Sequence, residues 1–226
     1  MTLGLIHKKE CRTLTLRGWI LFVAIILIIC LGLFCNIHSF LAMNDPLSAE
    51  ILVVEGWMPD YCMQIANDEF ADGNYRLLIT TGEPVIYGYY LAEYKSHAEI
   101  AAATLVKIGF DSTKLVAVPG EGVVKDRTYA SAVALRKWLD ISEREVQAIN
   151  LLSLGAHSRR SRLLFQNALG DEIKVGVIAA ENRNYDENGW WRSSHGVRTI
   201  ISETIAYIYA KLIFRPNEKY KKIKGK

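Results

Sequence analysis

Residues 148–163 have the sequence AINLLSLGAHSRRSRL. The first seven residues form an apolar run that predicts a buried strand, and the apolar spacing from Leu163 to Gly170 predicts a short helix. Gly155 and Ala156 form a small-residue turn between the two. The stretch therefore predicts a strand that passes into the N-terminus of a helix, where unpaired backbone N–H groups and the helix dipole favour an anion.

The same alternation of apolar runs and helical patterns extends along the rest of the chain. The predicted strands are residues 51–54, 77–80, 115–118, 149–154 and 174–178. Further helices are predicted after Pro59, after a capping box formed by Ser96 and Glu99, after Asp126 as the N-cap, and from Ile200. This alternation predicts an α/β fold, a Rossmann-like three-layer sandwich with a mainly parallel five-stranded sheet.

A hydrophobic segment precedes the α/β pattern. It is almost continuously apolar, and a helix that crosses a membrane needs about 20 such residues. Four basic residues and one acidic residue precede it, so the positive-inside rule predicts a cytoplasmic N-terminus. A cleaved signal peptide is the alternative, although no A-x-A-like site follows the run. The predicted organisation is a cytoplasmic basic N-terminus (1–17), a transmembrane anchor (18–43), an extracytoplasmic α/β domain (44–214) and a basic C-terminal tail (215–226).

The net charge of +3 is unevenly distributed along the chain. Residues 1–17 carry +3 and residues 215–226 carry +5, which leaves −5 on the body between them. A basic tail near a membrane either contacts anionic headgroups or stays solvated. The acidic body, whose aromatic residues are not interleaved with basic ones, argues against nucleic-acid binding.

Familiar cofactor and catalytic motifs are missing from the sequence. It has no H-E-x-x-H or Cys/His ligand spacing for zinc, and no Walker loop, G-x-G-x-x-G fingerprint or G-x-S-x-G elbow. We therefore predict no dedicated metal site, and the sequence indicates no particular cofactor. A hard cation that joins Glu55, Glu83 or Glu121 to a phosphate stays open. Cys62 is the one cysteine of the predicted extracytoplasmic body, so that body is predicted to lack an internal disulfide.

Polar residues and glycines follow several of the predicted strands. Ligands of open parallel sheets bind beyond the carboxyl ends of the strands, so these residues are the candidates for a site. We predict catalytic roles for His157 and Glu55. The predicted ligand-binding residues are Gly56, Gly82, Glu83, Arg127, Thr128, Ser158, Arg159 and Arg160.

Each candidate also has a purely structural interpretation. Glu55 at a buried strand end needs a partner, and Arg160 or Arg127 could form with it an ion pair that only orders the fold. His157 is either a general acid/base or phosphate donor, or a helix cap without chemistry. The arginines after His157 either hold an anion or cover the surface and pair with nearby carboxylates. The glycines Gly56 and Gly82 either admit a ligand to the backbone or form turns.

Over residues 49–214 the chain resembles the YdcF–SanA–ElyC family of bacterial envelope-associated proteins. The most specific part of the resemblance is the H-x-x-R pattern from His157 to Arg160, after the fourth strand. Glu55-Gly56 and Thr81-Gly82 match the turns after the family's first two strands, and Glu203 matches a Glu in its last helix. The family's Asn-Thr-x-Glu-Asn-Ala helix start aligns with residues 127–132, where only Thr128 and Ala132 are retained.

The resemblance implies a Rossmann-like sheet and a role in envelope or peptidoglycan homeostasis at the bacterial inner (plasma) membrane. One hypothesis is a domain that binds, and hydrolyses or transfers, a phosphorylated ligand such as a polyprenyl-phosphate or nucleotide-linked sugar. In it Arg159 and Arg160 hold the anion and His157 moves a proton. The alternatives are a non-catalytic tethered scaffold that docks envelope proteins or lipid through its last helix and basic tail, and a domain that binds an adenosine-type ligand.

Overall fold

The computed structural model describes residues 13–142 and 144–216. The chain divides after Ile37 into two compact units. Helix α1 (Leu16–Leu41) is long and apolar enough to cross a membrane, as an anchor or a signal sequence would be. Residues 1–12 of the predicted cytoplasmic segment and residues 217–226 of the predicted basic tail lie outside the described residues.

The second unit contains one sheet of five parallel strands, which confirms the predicted α/β fold. The strand order is β3-β2-β1-β4-β5, as in a Rossmann-like sheet. The strands are β1 (Ile51–Glu55), β2 (Leu77–Gly82), β3 (Leu115–Pro119), β4 (Ala148–Leu154) and β5 (Lys174–Ala180). The helices are α2 (Asp60–Asp72), α3 (His97–Lys107), α4 (Arg127–Ile141), α5 (Ser158–Leu169) and α6 (Ser194–Leu212), with short 3₁₀ helices at Ser112–Lys114, Gly155–His157 and Glu187–Arg192.

Helices cover both faces of the sheet, and for this reason its strands are largely apolar. On one face, Val53 of β1 belongs to a fully buried cluster with Leu135 of α4 and Phe165 of α5. On the other face, Leu52 packs in a cluster with Met63 of α2. Successive residues of a strand point to opposite faces, so a strand that is buried on both sides is apolar at most of its positions.

Two helix starts and one helix cap differ from the prediction. Helix α5 begins at Ser158, five residues before Leu163, because Gly155 adopts φ 42° and turns the chain directly into a 3₁₀ turn. Helix α6 begins at Ser194, since the Ser193 hydroxyl caps it by accepting from the Gly196 N–H. Asp126 precedes α4 as expected, but it has φ 59° and its side chain makes no capping hydrogen bond.

The last turn of α1 belongs to the α/β unit. Leu41 is buried there, and the Phe40 ring meets the Tyr207 ring of α6 edge to face, 5.5 Å between centroids. The Ser158 hydroxyl at the start of α5 donates to the Met43 carbonyl at 3.0 Å. The end of α1 therefore lies at the carboxyl edge of the sheet, beside the helices that follow β4 and β5.

Candidate functional site

A cleft of about 480 Å³ opens at the carboxyl edge of the sheet. It is lined by the ends of β1 and β2, the start of α4, the first turns of α5 and the second half of α6. Seven of the ten predicted site residues line it, namely Glu55, Gly82, Glu83, Arg127, Thr128, His157 and Arg160. The rule that ligands of parallel sheets bind beyond the strand ends thus located a real concavity.

Glu55 ends β1 as a buried carboxylate on the floor of the cleft. The hydroxyls of Ser153 and Ser161 both donate to it, the latter at 3.0 and 3.1 Å, and His157 Nε2 lies 3.7 Å from its Oε1. Burial alone would raise the pKa of Glu55, but the positive charge of His157 and these hydrogen bonds outweigh burial and lower it. Glu55 is therefore ionised, and its partners are a histidine and two serines.

The arginines that were candidates for pairing with Glu55 pair with other carboxylates. Arg160 Nε donates to Glu203 Oε2 at 2.8 Å, and Arg127 Nη1 donates to Glu83 Oε1 at 2.7 Å. Neither guanidinium hydrogen-bonds to Glu55. Arg127 begins the helix that follows β3 and Arg160 lies in the helix that follows β4, so each arginine meets a different carboxylate.

His157 is held by Glu203 of α6. Its Nδ1 lies 3.0 Å from Glu203 Oε1, and Arg160 Nη2 lies 2.9 Å from the same nitrogen and 3.1 Å from the same oxygen. Arginine is a donor only, so it cannot share a hydrogen bond with a protonated Nδ1. Both N–H groups therefore point to the Glu203 carboxylate, and the Nδ1–H orients the ring.

The charges around His157 keep the ring protonated at neutral pH. Burial alone would lower the pKa of His157, but the carboxylate of Glu55 and the hydrogen bond to Glu203 outweigh it and raise the pKa to about 9. For Glu203, burial is outweighed by the hydrogen bonds from His157 and Arg160, which lower its pKa to about 2. The site therefore contains an imidazolium between two carboxylates.

The second ring nitrogen of His157 has no hydrogen-bond partner. Among the residues that the structure describes, Nε2 of His157 is the one buried side-chain nitrogen or oxygen without a hydrogen-bond partner. The nearest carboxylate oxygen, on Glu55, lies beyond hydrogen-bond distance at 3.7 Å, and the Trp57 ring packs edge to face on the imidazole, 5.0 Å between centroids. A buried N–H without a partner is costly, so this nitrogen is the natural place for a ligand atom that accepts a hydrogen bond.

Three predicted site residues lie outside the cleft. Ser158 is fully buried and donates to backbone carbonyls at the end of α1. The guanidinium of Arg159 stacks on the Phe40 ring at 4.0 Å and its Nε donates to the Phe40 carbonyl. A Cβ on Gly56 would lie 2.5 Å from the His97 carbonyl oxygen, so this glycine is needed for close backbone packing. All three therefore hold the structure around the site together.

The cleft has a charged half and an apolar half. The charged half contains the Glu55–His157–Glu203–Arg160 cluster on the floor and the Arg127–Glu83 pair at the rim. The apolar half is lined by Leu164, Ala206, Tyr209, Ala210 and Phe214. A ligand that fills the cleft would therefore place one polar end and one apolar end against complementary walls.

Two residues of the site escaped the sequence analysis, and one was indicated only by the resemblance. Ser153 and Ser161, which orient Glu55, are fully buried. The serine in the largely apolar run of β4 was the available signal, because a polar group on a buried strand needs a partner. Glu203 was indicated by its match to a Glu in the last helix of the resembled family.

In the described part of the chain, no group of three or more His, Cys, Asp or Glu side chains is arranged to hold a metal ion. No family model, curated protein or solved structure matches this chain. The chemistry of the cleft is therefore interpreted from the geometry of its own residues.

Proposed function

We propose that the α/β domain binds a phosphorylated ligand in this cleft and that His157 donates a proton when the ligand is hydrolysed or transferred. The observation that carries the proposal is that His157 lines the cleft and that its buried Nε2 has no hydrogen-bond partner. The ring is positively charged at neutral pH because its pKa is raised to about 9. An anionic oxygen is the group that best satisfies such a donor.

Further positive groups surround the position where that oxygen would bind. Arg160 lies beside His157 in the first turns of α5, where the helix dipole also favours an anion. Arg127 and the exposed Lys125 line the opposite rim. Arginine presents a planar fork of donors that matches a phosphate group. Because Glu203 and Glu83 already bind their arginines at 2.8 and 2.7 Å, the guanidinium groups are held in place before a ligand arrives.

The arrangement around His157 is also suited to proton transfer. Glu203 accepts the Nδ1–H and thereby orients the ring, as the carboxylate of a catalytic triad orients its histidine, and the Nε2–H is left without a hydrogen-bond partner. An imidazolium donates its proton to a leaving oxygen, which is general acid catalysis. Glu55, at 3.7 Å from Nε2, favours the protonated ring, and the two serines fix its carboxylate.

The apolar half of the cleft favours a ligand whose phosphate is attached to an apolar or aromatic group. Polyprenyl-phosphates and nucleotide-linked sugars both have this character.

We propose that the protein is a single-pass protein of the bacterial inner membrane, with a cytoplasmic N-terminus and an extracytoplasmic domain, and that it acts in envelope or peptidoglycan homeostasis. An uncleaved anchor is supported by Leu41, the last residue of α1, because its removal would take a buried side chain out of the domain.

The proposal is tested by thermal unfolding of the full chain in detergent micelles with pyrophosphate, nucleoside diphosphate sugars and a short-chain polyprenyl-phosphate. A ligand at 100 times its Kd stabilises the folded state by about 2.7 kcal/mol, which is easily measured. We expect stabilisation by at least one ligand in the wild type and in Arg159→Ala, whose side chain lies outside the cleft, and none in Arg160→Ala. No stabilisation by any of them, or equal stabilisation in both variants, would contradict the proposal.

A further inference from the structure

Helix α6 has an apolar stripe on each of two opposite faces. The inner face packs on the domain through the buried Ile200 and Ala210, and carries Glu203 into the cleft. The outer stripe consists of Ile201, Ile205, Ile208 and Leu212, which are 49–67% exposed. At about 100° per residue these four side chains fall within about 60° of one another, so they form one continuous stripe.

Such a stripe is unusual on the outside of a globular domain. The solvent-facing side of a surface helix is normally polar, and contiguous exposed apolar side chains mark interaction sites. Here the outer face lacks acidic residues altogether, because Glu203 is the one acidic residue of α6 and it points into the domain. Its borders are basic, since the exposed Arg198 and Lys211 lie on the two sides of the stripe at helical positions about 140° apart.

The position of α6 in the domain indicates what covers the stripe. Tyr207 of α6 contacts Phe40, which is the second-last residue of a helix long and apolar enough to cross a membrane. Within the α/β unit, the chain that leaves such a segment thus packs directly on α6. A helix with an apolar stripe between two basic borders is the form that lies in the interface of an anionic bilayer, where the basic side chains reach the headgroups.

We propose that α6 lies flat in the headgroup region of an anionic phospholipid bilayer, with Ile201, Ile205, Ile208 and Leu212 inserted toward the acyl chains. The domain then rests on the membrane through α6. Ala206 and Tyr209 of the same helix line the cleft, so the cleft lies immediately beside the membrane surface. This inference depends on the two faces of α6 and its contact with Phe40, and it is independent of the ligand proposed for the cleft.

The test is a depth measurement on the full chain in nanodiscs that contain phosphatidylglycerol and phosphatidylcholine. The four native cysteines are replaced, and a single cysteine at Ile205 carries an environment-sensitive fluorophore. A matched chain carries the fluorophore at Ile141, which is 82% exposed at the end of α4. We expect nitroxide-labelled acyl chains to reduce the emission at position 205 at least twofold and to leave position 141 unchanged.

Two outcomes would overturn the proposal. Emission at position 205 that is water-like and unquenched would show that the stripe does not reach the bilayer. Emission that is shifted to the blue but unquenched by the lipid nitroxides would show that a protein surface, such as a second copy of the chain, covers the stripe. As a control for folding, Ile201→Lys with Ile208→Lys should abolish the quenching at position 205 while the circular dichroism spectrum and the urea unfolding midpoint stay unchanged.

Discussion

The carboxylate of Glu203 lies 3.0 Å from Nδ1 of His157, so the last helix of the domain fixes the orientation of a ring that lines the cleft. The two residues are 46 positions apart in the sequence. Their contact joins the N-terminal end of α5 to α6, the helix that we propose to lie in the membrane interface. Together with the two hydrogen bonds that Arg160 donates to the same carboxylate, this contact links the cleft to α6.

The first prediction concerns the alkaline side of the stability profile. Folding raises the pKa of His157 from about 6.5 to about 9. Protonation of this ring therefore stabilises the fold fully below pH 6.5, and the contribution is lost as the pH rises through about 9. It amounts to no more than about 3 kcal/mol. We expect the free energy of unfolding, measured in urea, to fall more steeply between pH 7 and 10 for the wild type than for His157→Gln.

The acid side of the profile follows Glu203, with the opposite sign. Its pKa is lowered in the folded state to about 2, so its stabilising contribution is present above about pH 4.5 and is lost as the pH falls toward 2. The pair as a whole therefore contributes most between about pH 4.5 and 6.5. Parallel profiles for the wild type and His157→Gln over the alkaline range would show that the ring is not protonated in the folded protein.

The second prediction is that Glu203→Gln destabilises the domain strongly. The substitution leaves His157 and Arg160 without the carboxylate that compensates their charges, and breaking a buried ion pair of this kind costs about 3–5 kcal/mol. The matched control is Glu172→Gln, which breaks a pair with Arg136 in which the Glu172 side chain is 73% exposed and which is therefore worth about 1 kcal/mol or less. Urea unfolding measures both.

A second readout separates this role of Glu203 from simple packing. Titration of the His157 ring by NMR should give a lower pKa in Glu203→Gln than in the wild type, because the hydrogen bond that favours the charged ring is gone. An unchanged pKa together with a loss of stability would mean that Glu203 supports the fold without acting on the ring.

Local sequence patterns were sufficient to predict the strands of the sheet and some of the residues that line the candidate site. The strands could be predicted because each is a short apolar run between turn signals, and a central strand such as β1 is apolar on both faces. Glu55 and His157 could be expected to lie close together because the ends of parallel strands meet at one edge. Both inferences use only the order of residues along one segment and a rule about the sheet.

The partners within the site could not be predicted in this way, because they depend on which side of a helix faces the domain. Ser158, Arg159 and Arg160 are consecutive, so their side chains are about 100° apart on α5. Only Arg160 faces the cleft, while Arg159 reaches Phe40 and Ser158 is buried. The side of α5 on which each of these side chains lies depends on the residue at which the helix begins. That residue in turn depends on the left-handed conformation of Gly155.

The third prediction concerns Asn150, a buried amide in the middle of β4. Its Oδ1 accepts from the Leu47 N–H, and its Nδ2 donates to the Leu47 carbonyl and to the Tyr75 hydroxyl, each at 2.8 Å. Asn150→Ala would leave these backbone groups without partners, so we expect a loss of about 1–3 kcal/mol in the free energy of unfolding. The control is Asn167→Ala on the exposed side of α5, where the change should stay within about 0.5 kcal/mol. Equal effects of the two substitutions would show that the Leu47 contacts do not stabilise the fold.

The last prediction separates anion binding by arginine from binding through a bridging cation. At the rim, Glu83 Oε1 accepts from Arg127 Nη1 at 2.7 Å, and the Arg127 side chain is 52% exposed. If a phosphate binds to Arg127 directly, Glu83 competes with it for the guanidinium. Arg127→Ala should then weaken pyrophosphate binding about tenfold, whereas Glu83→Gln should strengthen it, with changes in stability below about 1 kcal/mol in both variants. If instead a hard cation joins Glu83 to the phosphate, Glu83→Gln would weaken binding and chelation by EDTA would weaken it in the wild type. Calorimetric titration of the two variants with pyrophosphate, with and without EDTA, therefore decides between the two modes. The deciding quantity is the sign of the change in pyrophosphate affinity caused by Glu83→Gln.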